Sequence, residues 1–321
     1  MMKKTGLLTL LLAAATAFAP AARAEYPEKP IELIVAFSPG GGTDIAARSL
    51  ARFMEKHLGN NAKIAVINKP GAGGEIGWTT LFRAKPDGYT IGMLNAPAIN
   101  ALEVEGKAKY KMAEFQAIAN LVSDPGILVV GKDSPYNTLN DLIEAARAKP
   151  NSVVIGISGA AGSSDHIGIL SMNRLAKVEF KPAFFGGTSA VRQNVLGGHI
   201  PAGTLNLSEA LPLLRDGSMR ILGIMSAERS DYLKDAPTFR EQGIDLVVTA
   251  TRGLAAPKGT PSEIVAKLEK AVELAMQDPE YLESAKKAEI PVHYMNAEEY
   301  GNLLKGFNDE LTETWKVTPW R

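Results

Sequence analysis

Three short stretches set glycine and hydroxyl residues directly before a helical pattern. They are Ser38-Pro39-Gly40-Gly41-Gly42-Thr43-Asp44, Ser158-Gly159-Ala160-Ala161-Gly162-Ser163-Ser164-Asp165 and Gly186-Gly187-Thr188-Ser189. The start of a helix leaves about four backbone N–H groups without partners and carries roughly half a positive charge. Glycine lets a ligand come close to the backbone, and serine and threonine add hydroxyl donors. Such a turn suits an anion, whether carboxylate or phosphate. Asp44 has two readings: as an N-cap it satisfies helix N–H groups, and as a ligand contact it repels a carboxylate unless water intervenes. Arg252, in Thr249-Ala250-Thr251-Arg252-Gly253-Leu254, also has two. It either takes a carboxylate bidentately or locks a hinge as a salt bridge. Arg192, after the third turn, reads as solvated.

Several catalytic chemistries fail on detail. A P-loop needs lysine after its last glycine, and Gly42 is followed by Thr43-Asp44. The dinucleotide fingerprint fails at Gly71-Ala72-Gly73-Gly74-Glu75-Ile76, where the third glycine comes one place late, at Gly77. The nucleophile elbow fails at Gly156-Ile157-Ser158-Gly159-Ala160, where its last glycine is alanine. An exported hydrolase using Ser158, Ser163 or Ser164 with His166 is the remaining enzyme alternative, and a fluorophosphonate probe would label it. His166 lies close enough in sequence to those serines to read instead as a capping or packing group. The chain has no cysteine, which removes thiol nucleophiles, disulfides and cysteine-built metal sites. Its four histidines, His57, His166, His199 and His293, include no i, i+4 pair, so neither a metal nor a cofactor is expected. Basic and acidic residues balance at 35 each, which gives no reason to propose a nucleic-acid surface.

The elements that must position these turns read as strand, glycine turn, helix, repeated. Strands are expected at 31–37, 63–67 and 90–94, with helices at 45–58 and 78–84. A second set begins after Asp124-Pro125, with strands at 127–130, 153–157, 182–185 and 221–226 and helices at 140–148, 167–175 and after Gly187. This alternation predicts an α/β fold on a parallel sheet. Thr260-Pro261-Ser262-Glu263 reads as a capping box with proline at the first helical position, and Asn296 with Glu299 as a second box opening a helix to Trp315. No strand is expected after 254–256, so the C-terminal helices complete the first lobe. The chain then crosses between lobes twice, near Val122–Gly126 and near Val247–Arg252. The expected domains are residues 25–124 with 248–321 as one lobe and 125–247 as the other, and the cleft between them is the natural ligand site. Trp78, Trp315 and Trp320 read as packing groups.

Residues 1–24 read as an export signal: Lys3 and Lys4, an apolar run from Leu7 to Ala19, and Ala22-Arg23-Ala24 before the cut. The run is shorter than the ~20 residues a spanning helix needs. The mature chain then carries 32 basic and 35 acidic residues and is expected in the periplasm as a monomer.

Along nearly all of that mature length the sequence resembles the solute-binding receptors of tripartite tricarboxylate transporters, the Bug receptors. The resembling residues are Tyr26-Pro27 with Lys29-Pro30, Phe37 to Asp44, Asn68-Lys69-Pro70-Gly71-Ala72-Gly73-Gly74, Pro86-Asp87-Gly88-Tyr89-Thr90 and Gly253 to Pro261. The resemblance implies a two-lobed periplasmic binding protein of the Venus flytrap type II class, with two hinge crossovers and no enzymatic step. It implies a small carboxylate as ligand, with citrate and other di- or tricarboxylates favoured over aromatic or amino-acid carboxylates, and membrane transporter subunits as partners. A ligand sensor that signals to a membrane partner would need the same closed lobe pair. The ligand-binding set expected here is Phe37, Ser38, Gly41, Gly42, Thr43, Asp44, Ala96, Ser158, Gly162, Ser163, Ser164, Gly187, Thr188, Asn206 and Arg252. Two departures stand out: Pro201 where aspartate is common, and Arg252 where many members carry an aromatic residue. The second weakens an aromatic-stacking ligand and favours a further carboxylate.

Overall fold

The computed structural model describes residues 26–159, 161–317 and 319–320. The expected export signal lies outside the described residues. Among the described residues no helix is long and apolar enough to cross a membrane.

The first strand, β1 (Ile31–Val35), is apolar at four of five positions because both its faces are covered. It leads through the first glycine turn into α1 (Gly42–Leu58), whose Ala46, Leu50, Phe53, Met54 and Leu58 form one buried stripe. Then come β2 (Ile64–Asn68), α2 (Glu75–Phe82), β3 (Thr90–Ala96) and a short helix not expected from the sequence, α3 (Ala98–Val104). The next strand, β4 (Phe115–Gly131), is 17 residues long and runs straight through Asp124-Pro125. The second set follows as α4 (Leu139–Ala148), β5 (Val154–Ser158), α5 (Ser164–Ala176), β6 (Lys181–Phe185), α6 (Thr188–Leu196), β7 (Ala202–Asn206), α7 (Leu207–Arg215) and β8 (Met219–Ile224). The chain returns along β9 (Thr249–Pro257) and ends in α8 (Ser262–Gln277), α9 (Pro279–Lys287), β10 (Val292–Met295) and α10 (Ala297–Val317).

The strands order β2-β1-β3-β9-β4-β7-β5-β6, with β8 and β10 also paired to β4. The sheet is mixed, which corrects the all-parallel expectation. β1, β2 and β3 pair in parallel, as do β5 with β6 and β7, but β4 runs antiparallel to β7, β8, β9 and β10. A chain that enters one lobe and returns beside its own path makes an antiparallel pair, so the two crossings must be antiparallel. They touch directly: the Gly126 amide donates to the Val248 carbonyl at 2.9 Å. β10 also corrects the expectation that no strand follows 254–256.

Period-two alternation in β4 sends Leu128 and Val130 into one core and Ile127 and Val129 into another, so both faces of the second lobe's sheet are covered. The first lobe repeats the arrangement. Leu33, Leu50 and Leu254 meet Leu268 and Val272 of α8 on one face, and Trp78, Ile99 and Tyr300 cover the other. α8 and α10 therefore pack on the sheet that β1, β3 and β9 form. One of the two expected caps forms as read: Asn296 and Glu299 exchange side-chain-to-amide bonds of 2.9 and 3.0 Å. The other does not. The Thr260 hydroxyl donates to the Pro257 carbonyl at 2.8 Å, and Pro261 stands at the cap of α8 without a side-chain bond.

Candidate functional site

The first glycine turn ends with Gly41 as the residue capping α1, with no side chain bonded there. The Ile45 amide reaches back to the Gly41 carbonyl at 2.9 Å, and the amides of Gly42, Thr43 and Asp44 have no acceptor among the described residues. Asp44 is neither cap residue nor free anion. It is buried in the first turn of α1, and its carboxylate accepts from the Gly40 amide (2.8 Å), Arg48 Nε (3.1 Å) and Asn68 Nδ2 (2.9 Å). Burial works to raise its pKa, but the hydrogen bonds from Arg48, Gly40 and Asn68 outweigh it and hold the carboxyl below its ordinary range. Asp44 thus shapes the turn from behind and leaves the helix terminus open. Phe37 turns away as well and sets its ring edge-on against Trp78, 5.8 Å between centroids. Ser38 is exposed and holds the turn through its carbonyl, which accepts from the Gly41 amide at 3.4 Å. Thr43 accepts from Asn95 Nδ2 at 2.7 Å, and Ala96 pairs with Thr251 across β3 and β9.

Arg252 comes from β9 onto this turn. A Cβ placed on Gly42 would lie 3.3 Å from Arg252 Nη2 and 3.9 Å from its Nε, so the guanidinium packs over the glycine. Arg252 is 7% exposed, and its Nε has no partner. Its Nη1 faces Asp124 Oδ2 at 3.4 Å. Asp124, fully buried in β4, also accepts from the Ser208 amide (3.1 Å) and hydroxyl (2.5 Å) at the start of α7. One carboxylate therefore joins the crossing strand, the arginine and a helix terminus of the second lobe.

The second and third turns meet each other. Ser158 Oγ and Thr188 Oγ1 are 3.1 Å apart, and the Thr188 hydroxyl bonds Glu209. Glu209 accepts from the Asn206 amide at 3.0 Å. Burial pushes Glu209 above the ordinary carboxyl range, although Arg252 pulls it the other way. Asp165 accepts from the Ser158 amide at 3.2 Å, and its other oxygen is buried without a partner. Burial first, and then the charge of Glu209, hold Asp165 well above its ordinary value. Gly187 provides the third turn's end with φ +157 and open space around it. Ser163 spends its hydroxyl on capping α5, accepting from the His166 amide at 3.4 Å, and Ser164 opens that helix. Gly162 lies elsewhere: a Cβ there would come within 2.5 Å of Ala101, 3.2 Å of Glu105 and 3.3 Å of Trp320.

The structure thus brings Gly42, Arg252, Ser158, Thr188 and Asn206 into one polar network through Asp124, Ser208 and Glu209. It sets Phe37, Ser163 and Gly162 to packing and capping. Arg192 is corrected from solvated: it donates to the Glu209 carbonyl at 2.7 Å and steadies α7. His166 accepts from the Gly162 amide through Nδ1 at 3.1 Å, and burial lowers its pKa to about 4. That nitrogen is the one a serine would need as base. Asp124, Asp165, Ser208 and Glu209 were missed as contacts in the sequence. Asn206-Leu207-Ser208-Glu209 does match a capping box, which would have revealed α7. A cavity of about 180 Å³ borders Asp124 and Ser208 and is lined also by Tyr232, Glu289 and His293, but by none of the three glycine turns.

A family model, the tripartite tricarboxylate transporter family receptor, matches residues 46–314. The chain belongs to this receptor family. Among its relatives is a protein of the gbd 5′ region of Cupriavidus necator, 33% identical over 280 residues, which cover 87% of this chain and 84% of that one. Protein BugT of Bordetella pertussis is 31% identical and covers 88% of the chain, with 87% of its own length matched. Among solved structures, a TctC solute-binding protein from Polaromonas superposes with a TM-score of 0.78 at 31% identity, covering 91% of this receptor and 99% of that chain. MatC from Rhodopseudomonas palustris, solved with bound malate, gives 0.77 at 27% identity over 90% of this receptor and 99% of its own chain. The receptor's two-lobed α/β fold is the one these periplasmic binding proteins share.

Proposed function

We propose that this receptor works in the periplasm, captures a small di- or tricarboxylate between its lobes and passes it to a tripartite tricarboxylate membrane transporter. The lobes are taken as residues 25–124 with 248–321 and residues 125–247. One observation carries the reading: the open amide terminus of α1, with Arg252 packed over Gly42, is linked through Asp124 to the helix terminus of α7 in the opposite lobe. A carboxylate at the α1 terminus would meet unpartnered N–H groups and the free Nε of Arg252. A second carboxylate on the same small molecule would reach the hydroxyls of Ser158 and Thr188. Malate bound to MatC is a ligand of this kind.

The mechanism is binding without bond making or breaking. Ligand contacts to both lobes favour the closed form as a population shift. With Nδ1 of His166 occupied by the Gly162 amide, the serine-hydrolase alternative loses its base.

The test is a thermal-shift screen on protein unfolded and refolded to remove carried-over ligand. Citrate, tricarballylate, succinate, malate, glutamate, nicotinate and phthalate form the panel. A true ligand at 100 times its dissociation constant is expected to add roughly 2.7 kcal/mol. A flat response across the whole panel would refute the reading.

A further inference from the structure

Among the described residues Arg252 is the cation that ion-pairs with a carboxylate of this network, whereas Arg192 meets it only at the Glu209 carbonyl, and Arg252 is already half engaged. Asp124 holds its Nη1 side at 3.4 Å, while Nε is buried without a partner. Asp124 is itself fixed by the Ser208 amide and hydroxyl, so its charge cannot swing away. Glu209, which accepts from the Asn206 amide, and Asp165, which accepts from the Ser158 amide, are two further buried carboxyls of the same network. A ligand carboxylate reaching Arg252 thus finds one unpartnered edge of the guanidinium, with the Asp124 carboxylate on the other.

We propose that Asp124 is a specificity-determining residue: a resident counter-ion that occupies one edge of Arg252 and so sets the receptor for ligands with two carboxylates rather than three. This rests on the receptor reading above. The α1 terminus with the Nε edge of Arg252 takes one carboxylate, and the Ser158–Thr188 pair takes the other. A third would face Asp124 with no cation left to neutralise it, and like charges at short range in a dry site are strongly unfavourable. The arginine that reads from sequence as a recruiter of an extra carboxylate is, in the fold, already supplied with one.

The test compares succinate with tricarballylate, which is succinate carrying one carboxymethyl group and so a third carboxylate. Isothermal titration at pH 7.5 on refolded protein is expected to show wild type binding succinate at least tenfold more tightly. Asp124→Asn keeps the shape, can still accept from the Ser208 amide and can donate to the Ser208 hydroxyl, but removes the charge, and is expected to shift the ratio at least tenfold toward tricarballylate. Ser208→Ala keeps the charge and is expected to leave the ratio within about twofold. A wild type that prefers tricarballylate, or an Asp124→Asn protein in which both affinities move together, overturns the proposal. The wild-type ratio needs no variant to fold. If wild type binds no carboxylate in the thermal-shift panel, the receptor reading itself fails. Binding with the wrong ratio removes Asp124 alone.

Discussion

The ring of His166 stands 5.0 Å from that of Phe184 and is 4% exposed, so a proton on it would have to be carried into an apolar packet. Its folded pKa is depressed to about 4 from 6.5. The stability this contributes is complete above pH 6.5 and is lost as pH falls through about 4, amounting to about 3 kcal/mol at most. Asp165 has the opposite sign: its raised pKa favours the fold at low pH and loses that contribution as pH rises. Melts at pH 7.5 and 4.5 carry both effects, and a His166 variant isolates one of them. His166→Gln, which can still accept from the Gly162 amide, is expected to lose less melting temperature on acidification than wild type does. Asp44→Ala strips acceptors from Gly40, Arg48 and Asn68 at once and is expected to cost about 1–3 kcal/mol in chemical denaturation. At this scale the glycine turn leading into α1 was legible in the sequence, since it is local. The partner of Arg252 was not: Asp124 lies 128 residues away, and only the β4–β9 register, with its irregularities near Ala117 and Asn120, brings the two together.

Elements were legible where a local rule acts alone. α1 follows from its apolar stripe and its glycine stop, and α10 from its capping box. β4 was not legible as one strand because Asp124-Pro125 looks like a break. Pro125 is tolerated there although it has no N–H to give, because β4 changes partner near it: β9 ends opposite Pro125 at Thr249, and β7 begins to pair at Gly126. Packing between elements sets a prediction about two glycines. A Cβ on Gly253 of β9 would sit 2.5 Å from the Tyr300 ring and 2.6 Å from the Ala119 carbonyl, and backbone cannot yield. Gly253→Ala is expected to destabilise by about 1–3 kcal/mol. Gly306, exposed in α10 with nothing within 4 Å, is the contrast. Gly306→Ala is expected to raise stability by up to about 1 kcal/mol. Urea melts of the pair measure both.

For the molecule as a whole, β4 supplies side chains to the cores of both lobes. Neither lobe can melt and leave the other's sheet intact. Thermal unfolding is therefore expected as one transition, with circular dichroism and tryptophan fluorescence superimposable; two separated steps would contradict it. The overall alternation of strands and helices was readable from the start. The central mixed pairing was not, because antiparallel return paths leave no signature in any single segment.

Trp320 gives its indole N–H to Glu105 at 2.6 Å, rests edge-on against Trp315 at 4.7 Å, and has Gly162 and Ile167 of the opposite lobe as neighbours. Trp78 is buried in a separate core, among Leu81, Leu94 and Tyr110. If the lobes part as proposed, two of the three indoles change surroundings while the third keeps its own. Such a motion would carry its own unlabelled optical gauge, and a stopped-flow emission trace on adding ligand would time it from the protein's own glow.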